Sequence, residues 1–435
     1  MPARPVGRLA ARRKGVLPVI RAGTALVDIT PPAGLALSGF AARSEPALGA
    51  HDPLTVRAVV VENTALLVAD VIGLHGDMAR RIRERCALPA NNVVVAALHT
   101  HGGPVSMMGR LSQQADKAYL ERLETACVHA IDKAVATARP ARLTGGWGAD
   151  PGVARNRRHA DGPVDSALPV LRIHDTAGDP MAVITAYACH PVVLGADNRL
   201  WTADYPHYVR ERLEAANPGA MALFLTGCAA DANTGHSAHA SISLASSPYR
   251  SFESAQSYGE RIADAARQAN ETPLGEHISV ENQILRLGFD RREEEPPGVL
   301  AERWRCERET ADPARAALLT HWIAWATDIA GRTPAPVEAR VSLLNWGGMP
   351  IVALPGEIFA ETALQIRQAV SGRPAFVIGF AEDNPGYIPP AREYRFGGYE
   401  VDEAHRYYGQ PATFASGSAE ALAAAAIVLL SGRTD

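Results

Sequence analysis

Residues 93–104 read VVVAALHTHGGP, and this stretch decides the fold class. Its six consecutive apolar residues, rich in β-branched valine, predict a strand that is buried on both faces. A turn of histidine, threonine and glycine follows directly, so the buried strand ends in polar side chains at His99 and His101. Strand ends are where α/β proteins place their functional groups, and the pattern therefore indicates a site at this position.

The same alternation extends outward in both directions. Strands are predicted over residues 25–30, 55–63, 64–74, 168–175, 180–191, 221–226, 278–289 and 375–383, and helices over 78–87, 114–138, 208–216, 251–269, 313–330, 357–369 and 416–430. Residues 340–357 predict a hairpin that turns at Gly347-Gly348. Because hairpins occur among the alternating strands and helices, we expect a mixed α/β fold rather than a purely parallel one.

The spread of the polar strand ends favours one large α/β domain over residues 21–435, with its site at the strand ends. Residues 1–20 are basic and have no apolar stretch behind them, so we interpret them as a disordered arm rather than a secretory signal. The charged, proline-containing residues 291–297 are the best candidate for a linker. Polar strand ends lie on both sides of them, which predicts an inserted or flanking helical piece instead of a second catalytic domain.

Composition excludes several classes of protein. The chain has 435 residues, of which 47% are hydrophobic and 21% charged, so it is neither disordered nor a coiled coil. A formal net charge of −4 gives no reason to expect a nucleic-acid partner, and the absence of an eighteen-residue apolar run argues against a membrane span. Five scattered cysteines without a CxxC motif suggest a cytoplasmic protein with reduced thiols. The oligomeric state stays open, with a homo-oligomer among the possibilities.

Four predicted strand ends carry groups that could bind a metal. Taken singly each has an ordinary structural explanation: His99 and His101 as loop residues, His190 as a core histidine, Glu357 as an acid in the first turn of a helix, and Tyr387 as packing. Together they supply nitrogen and oxygen ligands from separate strands, which suits a zinc site with room for water. Zinc makes hydrolysis the default reaction. The chain lacks HExxH, GxSxG and P-loop motifs, which removes the interpretations that those motifs support.

The constellation resembles the catalytic N-terminal domain of the neutral/alkaline non-lysosomal ceramidase family, from about Arg21 to the C-terminus. Short motifs carry the resemblance: Asp28-Ile29-Thr30-Pro31, His99-Thr100-His101-Gly102-Gly103-Pro104, Asn156-Arg157, Cys189-His190-Pro191, Pro355-Gly356-Glu357, and Tyr387 followed twelve residues later by Tyr399-Glu400. The spacing of the two tyrosines is the most specific of these similarities.

The resemblance implies a role for each matching residue. His99, His190, Glu357 and Tyr387 would hold one zinc ion. His101, Arg157 and Tyr399 would surround the scissile carbonyl, where Arg157 and the Tyr399 hydroxyl stabilise the oxyanion and His101 moves a proton to the leaving amine.

The implied activity is hydrolysis of an amide bond, N-acyl or lactam, by metal-activated water. We expect a small soluble substrate rather than a membrane lipid. An ester or lactone hydrolase on the same site, a non-catalytic binding protein that keeps the fold, and an enzyme that runs the reaction toward condensation stay open as alternatives.

Two positions depart from the family pattern or allow two interpretations. The family has a serine where this chain has Gly227-Cys228-Ala229-Ala230-Asp231, so Cys228 is either a substitute nucleophile or a small buried thiol. Asp204 either orients a ligand histidine or caps the helix that follows it.

Overall fold

The computed structural model describes residues 19–111, 115–238, 243–291 and 295–432. The predicted N-terminal arm lies outside these residues up to position 18, and Ile20 already begins the first strand. The predicted start of the second helix at Gln114 also lies outside them.

Strands occur throughout the described residues, from Ile20 to Phe414. In chain order they are β1 (Ile20–Asp28), β2 (Gly49–Ala50), β3 (Thr55–Val61), β4 (Thr64–Ala69), β5 (Val93–Ala97), β6 (Arg139–Gly148), β7 (Arg155–Asn156), β8 (Leu168–Asp175), β9 (Pro180–Tyr187), β10 (Leu200–Trp201), β11 (Met221–Thr226), β12 (Ala232–Asn233), β13 (Asn270–Pro273), β14 (Ile278–Leu287), β15 (Phe289–Asp290), β16 (Val337–Trp346), β17 (Met349–Ala353), β18 (Glu357–Ile358), β19 (Phe376–Ile378), β20 (Tyr387–Ile388) and β21 (Thr413–Phe414).

The helices alternate with these strands. They are α1 (Gly76–Arg85), α2 (Lys117–Ala136), α3 (Tyr205–Ala216), α4 (Phe252–Arg267), α5 (Pro297–Arg308), α6 (Pro313–Ile329), α7 (Ala360–Ala369) and α8 (Ser418–Ser431). None of the helices in the described residues is long and apolar enough to cross a bilayer.

The larger sheet confirms the predicted mixed α/β class. Within the described residues its strands run in the order β11-β9-β8-β6-β1-β3-β4-β5, with β13 added to β6. The pairs β4–β5 and β9–β11 are parallel, and the other pairs are antiparallel. Every residue of β3, β4 and β5 is buried, and their largely apolar sequences suit strands that are covered on both faces.

A second sheet, in the order β14-β16-β17-β19, packs against the first. The predicted hairpin is confirmed: β16 and β17 are antiparallel and turn at Gly347 and Gly348, whose φ angles are 67° and 95°. Trp346 and Ile351 of this sheet share one apolar cluster with Val94 of the first. The Trp346 indole also donates a hydrogen bond to the Thr64 hydroxyl, at 2.9 Å. The two sheets therefore share a continuous core.

Helices α5 and α6 form a hairpin that follows the proposed linker. They build a small apolar cluster of their own around Trp304, Trp322 and Trp325. Helix α6 was predicted within one residue of its observed end. Helix α5 and strand β6 were missed, because Pro297-Gly298 and the glycines of β6 look like loop signals in sequence. A side chain at Gly146 would overlap the carbonyl of Asn270, so these glycines allow β13 to pair closely with β6.

One predicted boundary was wrong in a way that bears on the site. The helix expected from Glu357 begins at Ala360, and Glu357 lies in β18, which pairs with Tyr387 in β20. Gly356 precedes it with a φ of 78°, and this left-handed turn separates Glu357 from the helix. Glu357 is therefore not an acid in the first turn of a helix, and its role must be sought in what its carboxylate faces.

Candidate metal centre

The ends of three strands bring His99, His190 and Glu357 together in the interior. His99 follows β5 and has a φ of 67°, a conformation that is uncommon for a residue other than glycine. Phe380 stacks on its imidazole with ring centroids 4.0 Å apart. All three side chains are only 1% exposed. Charged or polar groups buried this deeply need partners, so their contacts define what the site can bind.

The backbone fixes the tautomers of the two histidines. The Nδ1 atom of His99 lies 2.6 Å from the carbonyl oxygen of Ile72, and that of His190 lies 3.0 Å from the carbonyl oxygen of Ala229. A carbonyl oxygen only accepts, so each Nδ1 carries the proton and donates it. Each Nε2 is then left with a lone pair. Burial lowers the pKa of His99 to about 3 and that of His190 well below its ordinary value, which keeps both rings neutral.

The lone pairs face one another. The two Nε2 atoms are 2.8 Å apart, and Glu357 Oε2 lies 3.6 Å from the Nε2 of His99 and 3.7 Å from that of His190. Within the described residues Oε2 has no hydrogen-bond partner. The two imidazole lone pairs and the ionised form of the carboxylate would repel one another, and a cation between them removes the conflict. The donor set therefore fits a metal ion.

His101 lies beside this group and is half-buried. Its ring centroid is 5.1 Å from that of His99 and 5.4 Å from that of His190. The three histidines offer ligand atoms within 4.8 Å of one another, so they could hold a metal ion. Both ring nitrogens of His101 lack a hydrogen-bond partner in the part of the chain that the structure describes. The role that the sequence assigned to His101, at the substrate, stays a prediction.

Two tyrosines hold the carboxylate of Glu357. Tyr408 donates a hydrogen bond to Oε1, and Tyr387 also hydrogen-bonds the carboxyl group. Burial raises the pKa of Glu357 to about 7, and the hydrogen bonds from Tyr408 and Tyr387 oppose that rise. The sequence analysis missed Tyr408, because nothing distinguishes it from its neighbour Tyr407 in a tyrosine-rich loop.

Arg157 is anchored between Tyr387 and Glu400. Its Nη2 donates to the Tyr387 hydroxyl at 2.9 Å, and its Nε donates to Glu400 Oε1 at 2.9 Å. Burial favours the protonated form of Glu400, but Arg157 and Arg158 hold the pKa of Glu400 below its ordinary value. The structure thus brings Arg157 to the predicted site in a fixed orientation.

Tyr399 is the last of the predicted site residues, and it lies at the edge of the same group. It begins a π-helical turn over Tyr399–Glu403, and its ring packs edge-on against Tyr387 with centroids 5.7 Å apart. It lines a pocket with His101, Arg157, His190 and Tyr387. The other residues that line this pocket are Gly39, Ala41, Leu111, Val192, Asn233, His236, Ser237, Ala238, Arg250, Leu318, Glu403 and Tyr407. The seven residues to which the resemblance assigns a role in metal binding or catalysis thus lie in or beside one site.

The contacts of Cys228 and Asp231 indicate structural roles for both residues. The Cys228 side chain is completely buried in an apolar cluster with Leu354 and Val377, and burial raises the pKa of its thiol well above the ordinary value. This supports the interpretation as a buried thiol. Asp231 accepts hydrogen bonds from the Ala360 amide at 2.8 Å and from Asn156 Nδ2 at 2.9 Å. It therefore ties the start of α7 to the residue that precedes Arg157.

Asp204 caps α3, as one of its two interpretations required. Its carboxylate accepts from the backbone amide of Tyr205 at 2.7 Å. It also accepts from the amides of Val193 and Leu194, at 3.3 Å and 3.0 Å. Asp204 thus fixes the loop that follows His190 as well as the helix, through backbone amides.

Comparison with known proteins finds a matching family and several relatives. The model of a family described as "Neutral/alkaline non-lysosomal ceramidase, N-terminal" matches residues 20–239. The neutral ceramidase of Pseudomonas aeruginosa is 26% identical over 299 residues, which cover 59% of this chain and 43% of that protein. Neutral ceramidase A of Dictyostelium discoideum is 26% identical over 237 residues, which cover 47% and 33%. The matched part of the chain thus spans less than half the length of these curated relatives.

Solved structures show the same fold. The crystal structure of the neutral ceramidase from Pseudomonas aeruginosa superposes with a TM-score of 0.72 over 97% of this chain and 76% of that one, at 18% identity. A structure described as "Ceramidase complexed with C2" gives a TM-score of 0.74, also at 18% identity, over 96% and 76%. At this identity the likeness concerns the fold alone.

Proposed function

Since the chain belongs to the neutral/alkaline non-lysosomal ceramidase family, we propose that it is a zinc-dependent hydrolase of an amide bond in a small soluble substrate. The observation that carries the proposal is the convergence of His99 Nε2, His190 Nε2 and Glu357 Oε2, of which Oε2 has no hydrogen-bond partner among the described residues. Imidazole nitrogen and carboxylate oxygen are the ligands that catalytic zinc takes in proteins.

His99, His190, Glu357 and Tyr387 are the residues that would hold the zinc ion. Zinc bound there would lower the pKa of a water molecule and polarise the substrate carbonyl. Tyr387 enters this set through the hydrogen bond that it shares with Glu357 and through Arg157, which donates to its hydroxyl. Burial raises the pKa of Tyr387 well above its ordinary value, and the Arg157 guanidinium opposes this rise by favouring the negatively charged phenol oxygen, the form that a metal ion binds.

The remaining residues act on the substrate. Arg157 and Tyr399 line the pocket, and the guanidinium and the hydroxyl would stabilise the negative charge that develops on the carbonyl oxygen. His101 also lines the pocket, and its unpartnered ring would take a proton from the attacking water and pass it to the leaving nitrogen. Because Glu400 and Tyr387 already hold Arg157, little reorganisation is needed when the charge forms.

Purified protein, analysed for metal and assayed against matched N-acyl, lactam, ester and lactone compounds, tests the proposal. We expect about one equivalent of zinc and turnover of amides. His99→Ala and His190→Ala should lose the metal, whereas His129→Ala, which alters an exposed histidine on α2, should keep it. Full occupancy in both site variants would overturn the ligand assignment. Turnover confined to esters or lactones would show that the enzyme hydrolyses those bonds instead of amides. Zinc binding without any turnover would favour a binding protein.

Tyr399→Phe separates substrate chemistry from metal binding. The variant keeps the ring that packs on Tyr387 but lacks the hydroxyl, so zinc content should be unchanged while kcat falls about 10- to 1000-fold. An unchanged kcat would remove Tyr399 from the oxyanion role.

As part of the same proposal, we place the protein in the cytoplasm. All five cysteines are free thiols. Free thiols are typical of proteins in reducing compartments, which supports a cytoplasmic location.

A further inference from the structure

The α5–α6 hairpin supplies one wall of the pocket beside the candidate metal centre. Leu318 of α6 lines this pocket together with Tyr407 and Leu111. Leu318 is only 6% exposed, so its side chain is held against the protein rather than projecting into solvent. The hairpin lies beyond residues 20–239, the segment that the family model matches. This wall is therefore a feature of the chain that the family match does not describe.

Specific contacts fix the hairpin and Tyr407 in place. The Trp322 indole donates a hydrogen bond to the Tyr407 hydroxyl at 3.0 Å, and the Trp325 indole donates to the Gln410 carbonyl at 2.7 Å. The guanidinium of Arg406 lies over the Trp322 ring, 4.3 Å from its centroid. Because the hairpin is attached at several points, its pocket-facing residues form a rigid boundary rather than a loose flap.

The pocket is bounded and has two kinds of lining. It contains about 840 Å³ of empty space, a volume that includes its open mouth. The lining includes the apolar side chains of Leu111 and Leu318 and the ring of Tyr407, as well as the polar side chains of Asn233 and His236. A mixed lining suits a substrate with a compact apolar portion and a polar portion.

We propose that the α5–α6 hairpin limits the length of the acyl chain that the enzyme accepts, with Leu318 and Tyr407 as the specificity-determining residues. The substrate class is then short-chain N-acyl compounds with a polar amine portion. The acyl chain lies against the apolar part of the lining, and the amine portion lies against the polar part. This inference rests on the proposed amide hydrolysis for its substrate and adds the boundary that selects among amides.

Leu318→Ala tests the boundary directly. With a series of N-acyl derivatives of one polar amine, from acetyl to hexadecanoyl, the wild-type kcat/KM should be highest for short chains and fall steeply for longer ones. Removing the Leu318 side chain beyond Cβ makes room for additional methylene groups. Since each buried methylene contributes roughly fourfold, the variant should gain roughly tenfold on the first chain lengths that the wild type rejects.

Leu319→Ala is the matched control. It makes the same truncation one residue along, in the hairpin's own core, where Leu319 is completely buried and does not line the pocket. It should lower stability and leave the chain-length preference unchanged. If Leu318→Ala fails to fold, Leu318→Phe reverses the test and should shorten the longest accepted chain. An identical chain-length profile in the wild type and the foldable Leu318 variant would overturn the proposal.

Failure of the amide reaction can be recognised separately. If no amide is hydrolysed, binding of the carboxylate series from acetate to hexadecanoate is measured through thermal stabilisation of the zinc-loaded protein. A chain-length limit that moves in the Leu318 variant supports the boundary even though the reaction is different. Equal binding of all chain lengths, or a limit that does not move, overturns it.

Discussion

The hydroxyl of Tyr408 orients the carboxylate of Glu357. It donates to Oε1 and thereby leaves Oε2 facing His99 and His190. Tyr408→Phe keeps the buried ring and removes this donor, so we expect metal affinity to fall about 10- to 100-fold with the fold intact. Competition with a chelator measures the affinity. Tyr394→Phe is the control, because Tyr394 is also a buried phenol but donates to the Phe414 carbonyl. Equal affinity in Tyr408→Phe and wild type would contradict the role.

The same residues show how far sequence reasoning reaches at this scale. His99 and His190 could be found because polar residues after buried strands are rare and conspicuous. Glu357 was ambiguous, and only the observed start of α7 at Ala360 removes the explanation as an acid in the first helical turn. Tyr408 could not be found, since its importance comes from a hydrogen bond across 51 positions of the chain. Side-chain partners of this kind depend on tertiary packing that local patterns do not encode.

At the scale of elements, the turn between β17 and α7 places Glu357. Gly356 has a φ of 78°, and a Cβ there would come within 2.7 Å of the Gly386 carbonyl oxygen. Gly356→Ala should therefore destabilise the protein by more than the roughly 1–2 kcal/mol of a left-handed residue, and should also weaken metal binding. Gly372→Ala is the matched control, with a φ of 75° and open space around the new methyl group. Urea unfolding and metal titration distinguish them, and equal losses in both variants would contradict this account.

The buried Asp52, in the loop before β3, should make the stability of the protein depend on pH. Asp52 is 3% exposed and accepts hydrogen bonds from the Thr202 hydroxyl and, at 2.9 Å, from the Ala203 amide, near His207 and Arg210. Burial raises its pKa from 3.8 to about 7, and the Thr202 and Ala203 hydrogen bonds and Arg210 oppose the rise. Between these values the folded state binds more protons than the unfolded state, so this group's contribution to stability is full at low pH and is lost as pH rises through about 7.

Asp52→Asn tests this directly, because the amide cannot ionise. The difference in unfolding free energy between wild type and variant should shrink as pH rises from acidic to neutral and beyond, in urea titrations at several pH values. A difference that stays constant over this range would show that Asp52 does not hold its proton in the folded state.

The elements themselves differed in how well the sequence specified them. Strands β5 and β11 were predicted nearly to the residue, because continuous apolar runs have few alternatives in a large α/β chain. Strands β4 and β9 begin as predicted but end about five and four residues earlier. The start of α3 was placed three residues late. Its N-cap Asp204 has a φ of 60°, a conformation that cannot be recognised from the sequence. Strand β6 was missed because glycines that allow a neighbouring strand to approach also resemble loop residues.

For the whole molecule, the candidate site joins distant parts of the chain. His99 and His190 follow strands of the first sheet, whereas Glu357 comes from the connection that leaves the second. The sheets also share a core, and Arg83 of α1 forms a buried ion pair with Glu382. The sequence predicted one domain from this separation of the site residues. The single-domain organisation stays a prediction, and it has a thermodynamic consequence.

A metal ion bound across both sheets should stabilise the entire protein rather than one part. Zinc at about one hundred times its dissociation constant would add about 2.7 kcal/mol to the free energy of unfolding, so a chelator should lower the midpoint of thermal unfolding by a few degrees. His99→Ala should not respond to zinc or chelator, because it lacks one of the converging ligands. Calorimetry on both proteins measures this, with Trp fluorescence as a second probe whose transition should coincide. If zinc binds stoichiometrically without raising the midpoint, or shifts only one of two separate transitions, the metal does not hold the two sheets together as a single cooperative unit.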